Sequence, residues 1–264
     1  MSAARTAAAA LALAALTGCA TTQPGTAANP RDPFEAWNRK VFAFNEGLDE
    51  HLLVPLATGY RNAVPELART GVDNVFANFA DAWSALNNLL QFKLEAGLSD
   101  VMRVSVNTVL GFGGLLDIAS EMGMRHHYED FGQTLGRWGL PSGPYVVWPV
   151  LGPSALRESA ALPLDRYALP AAWVDADGAQ LGLTALQIVH KRADLLRATR
   201  LIDDIALDKY VFVRDGYLQR RRSLVYDGDP PPLPEDDEAD DTPADEAVSR
   251  GADAPAAPAS APAR

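Results

Sequence analysis

Four histidines and a single cysteine are the side chains best suited to metal or covalent chemistry, and their spacing does not bring them together. His126 and His127 are neighbours, which on a helix point to different faces; His51 and His190 stand apart, and the one thiol, Cys19, is remote from all four. Asp175-x-Asp177-Gly178 echoes part of a calcium loop. Trp173 occupies the place of the first carboxylate and Thr184 that of the closing glutamate, so the segment reads as a turn. Gly111-x-Gly113-Gly114 lacks the spacing of a phosphate cradle. Ser154 has no evident base, and Glu129-Asp130 suits capping of the segment that begins at Phe131 better than acid–base work. Neither G-x-S-x-G, a Walker loop nor H-E-x-x-H occurs. No catalytic residue, metal ligand or cofactor is therefore assigned, and the chain is expected to bind or conduct something rather than transform it.

Cys19 has a different chemistry open to it. Met1 to Arg5 makes a small basic start, Ala7 to Leu16 is an unbroken Ala/Leu run, and Leu16-Thr17-Gly18-Cys19 closes it. This is a secretory signal over residues 1–18 that ends in a lipobox, with the thiol acylated and left as the new N-terminus. Each buried CH₂ of an acyl chain contributes about 0.8 kcal/mol, so more than one chain is needed for a stable anchor. Ala20, rather than Asp, follows the cysteine, which directs such a protein to the outer membrane on its periplasmic side. Residues 19–31 form a linker; from Ala20 to Arg31, at ~3.5 Å per residue, it allows roughly 40 Å of slack.

The elements that could position a site lie between residues 32 and 226. The tail, 227–264, holds 11 acidic and 2 basic residues, so of the net charge of −11 only −2 belongs to what precedes it. Its composition of Asp, Glu, Pro and Ala predicts disorder. With no basic surplus in the body, nucleic acid is excluded as a partner.

Within the body, helical periodicity dominates. Phe34, Trp37, Val41, Phe44, Leu48 and Leu52 mark a first helix, with Asp32 as its cap, Pro33 at its first position and Pro55 as its stop. Val72 to Leu90 repeats the rhythm, with Asn74, Asn78, Asp81 and Asn88 on the opposite face. A third helix is expected over Glu95 to Leu110, resuming from Leu115 to Met122. Val104 to Leu116 carries no charge, yet as a helix it would reach only about 20 Å of a ~30 Å hydrocarbon core. It suits either a core helix or an interfacial segment, not a span. Two long helices, about Ala179 to Ala198 and Ile202 to Arg221, end the domain. Between Phe131 and Arg157 the density of Gly and Pro permits at most a short hairpin.

Asp32-Pro33-Phe34-Glu35-Ala36-Trp37-Asn38-Arg39, Gly111-Phe112-Gly113-Gly114-Leu115-Leu116-Asp117 and, most specifically, Glu129-Asp130-Phe131-Gly132-Gln133-Thr134-Leu135-Gly136 resemble the MlaA/VacJ lipoproteins in the family's own order. The resemblance covers about residues 32–226. It implies an all-α, ring-shaped amphipathic helical domain with one Gly/Pro-rich loop or short hairpin, embedded in the inner leaflet of the outer membrane. It further implies an amphipathic channel through which phospholipids misplaced in the outer leaflet pass to a soluble periplasmic carrier of the MlaC kind, and a trimeric porin as partner. Asn38, Asn45, Asn74, Asn78, Gly132, Gln133, Gly136, Gly143 and Tyr145 are the candidates for the lipid path; the asparagines could equally face bulk water. Phe34, Trp37, Phe44, Phe112 and Trp148 are the candidates for the membrane interface. Trp83, Trp138 and Trp173 could join them or fill the core.

Overall fold

A computed structural model describes residues 29–232; the lipidation at Cys19, the signal, most of the linker and nearly all of the acidic tail lie outside the described residues. The described residues are mainly helical, with one hairpin: α1 (Glu35–Leu48), a π turn (Asp49–Leu53), α2 (Val54–Ala63), α3 (Glu66–Leu90), α4 (Leu94–Val109), α5 (Ile118–Glu121), α6 (Phe131–Arg137), β1 (Tyr145–Trp148), β2 (Gly152–Ala155), α7 (Leu156–Asp165), α8 (Asp177–Ile205) and α9 (Lys209–Val225).

The first helix departs from its sequence reading at both ends. Asp32 does not cap it: its carboxylate is buried, accepting from Asn38 Nδ2 at 2.7 Å and from the Tyr210 hydroxyl, while α1 begins after Phe34. Nor does Pro55 stop the chain. The missing N–H of a proline is tolerated in a helix's first turn, and here a π turn precedes it in which Val54 N–H reaches back to the Asp49 carbonyl. Helix continues through to Ala63. Asp49 then receives Arg192 of α8 in a two-pronged ion pair, 2.6 Å and 2.7 Å. Apolar residues complete that contact: Ala57, Ala193 and Leu196 pack with Val54 and Tyr60.

Two further boundaries move. Only Ile118–Glu121 of the Leu115–Met122 segment is helical, because Gly111 to Gly114 folds into a tight turn in which a Cβ on Gly111 would stand 2.2 Å from the Leu116 carbonyl. The break between the two C-terminal helices falls at Ala206–Asp208, where the Asp208 side chain caps α9 by accepting from Val211 N–H.

The Gly/Pro-rich stretch departs from the expectation of at most a short hairpin, because its glycine-bearing but proline-free start, Phe131–Arg137, forms a capped short helix before the hairpin. Asp130 caps α6 through Gln133 N–H at 2.8 Å, as its position before Phe131 leads one to expect. β1 and β2 pair antiparallel, Tyr145 opposite Ala155 and Trp148 opposite Gly152. Alternation puts Tyr145 and Val147 into a small apolar cluster with Val41 and Tyr210, and leaves Trp148 outside. Asn38 clasps this hairpin to α1, donating to the Tyr145 carbonyl (3.0 Å) and accepting from Val147 N–H (2.8 Å). Asn45, two turns on, does the same at the loop, with the Trp148 carbonyl (2.9 Å) and Val150 N–H (2.8 Å).

Candidate functional site: a polar interior beneath an apolar surface

The α3–α4 pair is built inside out. Along α3, Asn78, Asp81, Ser84, Asn87 and Asn88 are buried, while Leu67, Leu86 and Leu89 are exposed. Along α4, Gly97, Asp100, Arg103 and Asn107 are buried, while Leu94, Leu98, Val101, Met102 and Val109 are exposed. Both patterns repeat at the helical period, so each helix presents its polar stripe to the other and its apolar stripe outward. Gly97 lets the helices close, since a Cβ there would meet Leu89 at 2.8 Å. Across the described residues, buried polar and charged side chains outnumber buried hydrophobic ones, and many of the latter are alanines. A protein surrounded by water sorts the other way.

Most interior polar groups are partnered, as burial demands, with Asn78 Oδ1 and Gln91 Oε1 among the exceptions. Arg103, wholly buried, donates to Asp81 (3.1 Å), to Asp117 (3.1 Å) and to the Met124 carbonyl (2.6 Å). His126 Nδ1 lies 2.8 Å from Asp81 and its Nε2 2.9 Å from Arg103 Nη2. Only a tautomer that donates from Nδ1 and accepts at Nε2 satisfies both. Burial pushes the Asp117 carboxyl up, but hydrogen bonds from Ser120 and Asn107 and the Arg103 charge outweigh it and hold it at about 2. Beyond this cluster, Asn88 donates to Asp100 and to the His127 carbonyl, both at 3.0 Å, and Gln91 donates to Glu129 (2.8 Å) and Thr134 (3.1 Å). Burial raises Asp100 and Glu129 above the usual carboxylate range, partly offset by His127 and by Lys93 respectively.

The network opens on a cavity of about 950 Å³ between α3, α4, α6 and the end of α9. Lys93, Arg125 and Arg137 line it together with Glu95, Glu129 and Asp227, and Leu94 and Leu224 add apolar wall. Lys93 sits between two of the acids, 2.8 Å from Glu129 and in contact with Asp227.

Of the residues read from the sequence as a lipid path, Gln133 stands on this wall. With its amide nitrogen toward Glu129 (3.0 Å) and the Leu224 carbonyl (3.2 Å), its hydrogen bonds are satisfied. Asn78 is buried on the α3 stripe and donates to Thr108, and Asn74 donates to the Leu115 carbonyl. Asn38 and Asn45 are the hairpin clasps described above. Tyr145 is buried with its hydroxyl unpaired, Gly143 has φ +71°, and Gly132 and Gly136 are close-approach points. A Cβ on Gly132 would meet Arg221 at 2.9 Å, and on Gly136 Arg157 at 2.8 Å. Four of the five interface candidates, Trp37, Phe44, Phe112 and Trp148, are exposed, and Phe34 is half-buried. The Arg103 cluster went unassigned at the sequence level. Its signal was present in the arginine and aspartate that flank the uncharged stretch.

Three features of the outer surface stand out. Three of the four exposed indoles keep their N–H bonds inside the protein: Trp138 donates to the Leu90 carbonyl, Trp148 to Ser159 and Trp173 to the Tyr167 carbonyl. Exposed Thr70 and Ser105 return their hydroxyls to the carbonyls four residues back. Large apolar residues crown the turns: Phe92, Phe112 and Val150 are exposed by 86, 79 and 61 per cent, each with positive φ. No helix among the described residues is long and apolar enough to cross a membrane.

Fold and site together define a helical scaffold with a polar interior and many large apolar side chains on its surface. Comparison with known proteins agrees. The family model for the MlaA lipoprotein matches residues 30–224, and the chain belongs to that family. It is 33% identical over 230 residues to the intermembrane phospholipid transport system lipoprotein MlaA of Escherichia coli, covering 85% of this chain and 90% of that one. The corresponding Haemophilus influenzae protein is 32% identical over 221 residues, 81% and 87% of the two chains. A solved structure described as the structural basis for maintenance of bacterial outer membrane lipid asymmetry superposes with a TM-score of 0.66 at 32% identity, covering 74% of this chain and 98% of that one.

Proposed function

We propose that this protein is an outer-membrane lipoprotein, anchored through Cys19 and seated in the inner leaflet, that removes misplaced phospholipids from the outer leaflet and passes them toward the periplasm. The observation that carries this reading is the inverted α3–α4 pair. An apolar exterior needs a hydrocarbon solvent, and a polar interior offers a head group partners that lipid tails do not. The cavity is its entry or exit point, and both signs of charge on its wall suit a phosphate and an amine. A soluble MlaC-like carrier on the periplasmic side and a trimeric porin beside the protein complete the proposal, by its likeness to the family. Ser154, the serine weighed as a nucleophile from the sequence, has its Oγ bonded to Ser159 at 3.0 Å and to the Ala155 carbonyl rather than to a base. This supports conduction over hydrolysis.

Deleting the gene tests the proposal. Phospholipid should accumulate in the outer leaflet, and cells should become sensitive to detergent with EDTA. Unchanged leaflet asymmetry contradicts transport, and release of fatty acid from phospholipid by the purified protein would establish an enzyme instead.

A further inference from the structure

Away from the polar interior described above, three ligand-type side chains converge where the long helix α8 crosses α2 and α3. His190 and Asp194, one turn apart on α8, face Asp73 of α3, and their donor atoms all lie within 4.8 Å of one another. The His190 ring is only 4% exposed and is held in place on both sides, edge-on to Tyr60 with centroids 5.8 Å apart and tilted against Phe76 at 6.4 Å. Its Nδ1 lies 3.2 Å from the Tyr60 hydroxyl, which leaves Nε2 directed at the two carboxylates.

The distances suit a metal site as well as a long ion pair. Nε2 stands 3.4 Å from Asp73 Oδ1 and 3.6 Å from Asp194 Oδ2, longer than the 2.7–3.2 Å of a good N–H···O bond. Ligands about 2.1 Å from a tetrahedral ion are separated by about 3.4 Å, close to the distance from Nε2 to each carboxylate. A second-nitrogen partner of the kind Tyr60 supplies is the usual companion of a metal-bound imidazole. We propose that Asp73, His190 and Asp194 bind a divalent transition-metal ion, with Zn²⁺ the best match, leaving one position for water and stapling α8 to α3. An imidazole in the set disfavours Mg²⁺ and Ca²⁺, which take oxygen ligands.

Zinc titration of the EDTA-treated, detergent-solubilised full chain tests this by calorimetry and by thermal unfolding. One equivalent should bind and raise the melting temperature, with Mg²⁺ at the same concentration having no effect. H190Q should abolish that equivalent. Asp73 and Asp194 are exposed carboxylates, so D73N and D194N should fold normally and also lose it. Y60F should weaken binding by roughly 10- to 100-fold, and H51Q, at an exposed histidine outside both sites, should leave it unchanged. Failure to bind zinc, binding that survives D73N and D194N together, or equal stabilisation by Mg²⁺ overturns the assignment.

Discussion

Phe92 shows at a single residue how this chain trades stability for surface. Helices α5 and α6 end with a glycine in the left-handed conformation, Gly123 and Gly139, while N–H groups at and just after it return to the last turn. Helix α3 ends in the same way: Phe92 N–H bonds the Leu89 carbonyl and Lys93 N–H the Asn88 carbonyl. Here the left-handed position, φ 62°, carries an exposed phenylalanine. A glycine should be better for folding by about 1 kcal/mol. F92G is therefore expected to raise resistance to denaturant while lowering partition of the protein into phospholipid vesicles. A variant that is less stable, or that partitions as the wild type does, shows that Phe92 is there for the fold.

Arg103 and Asp117 give the second residue-scale expectation. Replacing Arg103 with Met leaves Asp81 and Asp117 without their cation and should cost roughly 3–5 kcal/mol. Asp117, held at about 2 in the folded state, contributes stability that is full above the ordinary carboxylate range and is lost as pH falls through the folded value. Asp100 and Glu129, raised by burial, act with the opposite sign. D117N should thus cost about 1–2 kcal/mol at pH 7 and almost nothing near pH 2, read as the difference between the two proteins' denaturation curves. A constant difference across that range would mean that Asp117 acts through its cap alone.

At the scale of elements, much was legible and the misreadings have physical causes. The periodicity of α1 and α3, the cap at Asp130 and the short hairpin all follow from local chemistry. Pro55 misled because a π turn, set by tertiary packing through Asp49 and Arg192, has no local signature. Asp32 misled because its carboxylate is claimed by Asn38 and Tyr210, the latter far along the chain. The polar stripe of α3 was visible in the sequence, but which side faced inward was not, since periodicity fixes the existence of two faces and leaves the solvent unspecified. Likewise nothing in the spacing joined Asp73 to His190. Asn38, placed among the lipid-path residues by sequence, is a clasp whose removal should be felt in the hairpin. N38A leaves the Val147 N–H without its acceptor and should cost about 2–4 kcal/mol, with faster hydrogen exchange at that amide. Exchange at Val147 as slow as in the wild type would show that the hairpin holds itself.

At the scale of the whole molecule, the proposed function makes lipid the solvent of the outside and gives the polar interior to a lipid route. Under that proposal an acyl anchor delivers the protein, and the exposed faces of α3 and α4 with the turn residues Phe92, Phe112 and Val150 seat it. The most direct test places a photo-crosslinking side chain, one position at a time, along α3 and α4 in cells. Leu86, Leu98 and Met102 should label phospholipid acyl chains, and Ser99, on the cavity wall, should label phospholipid only while transport is running. Outer-face positions that capture no lipid would contradict the account.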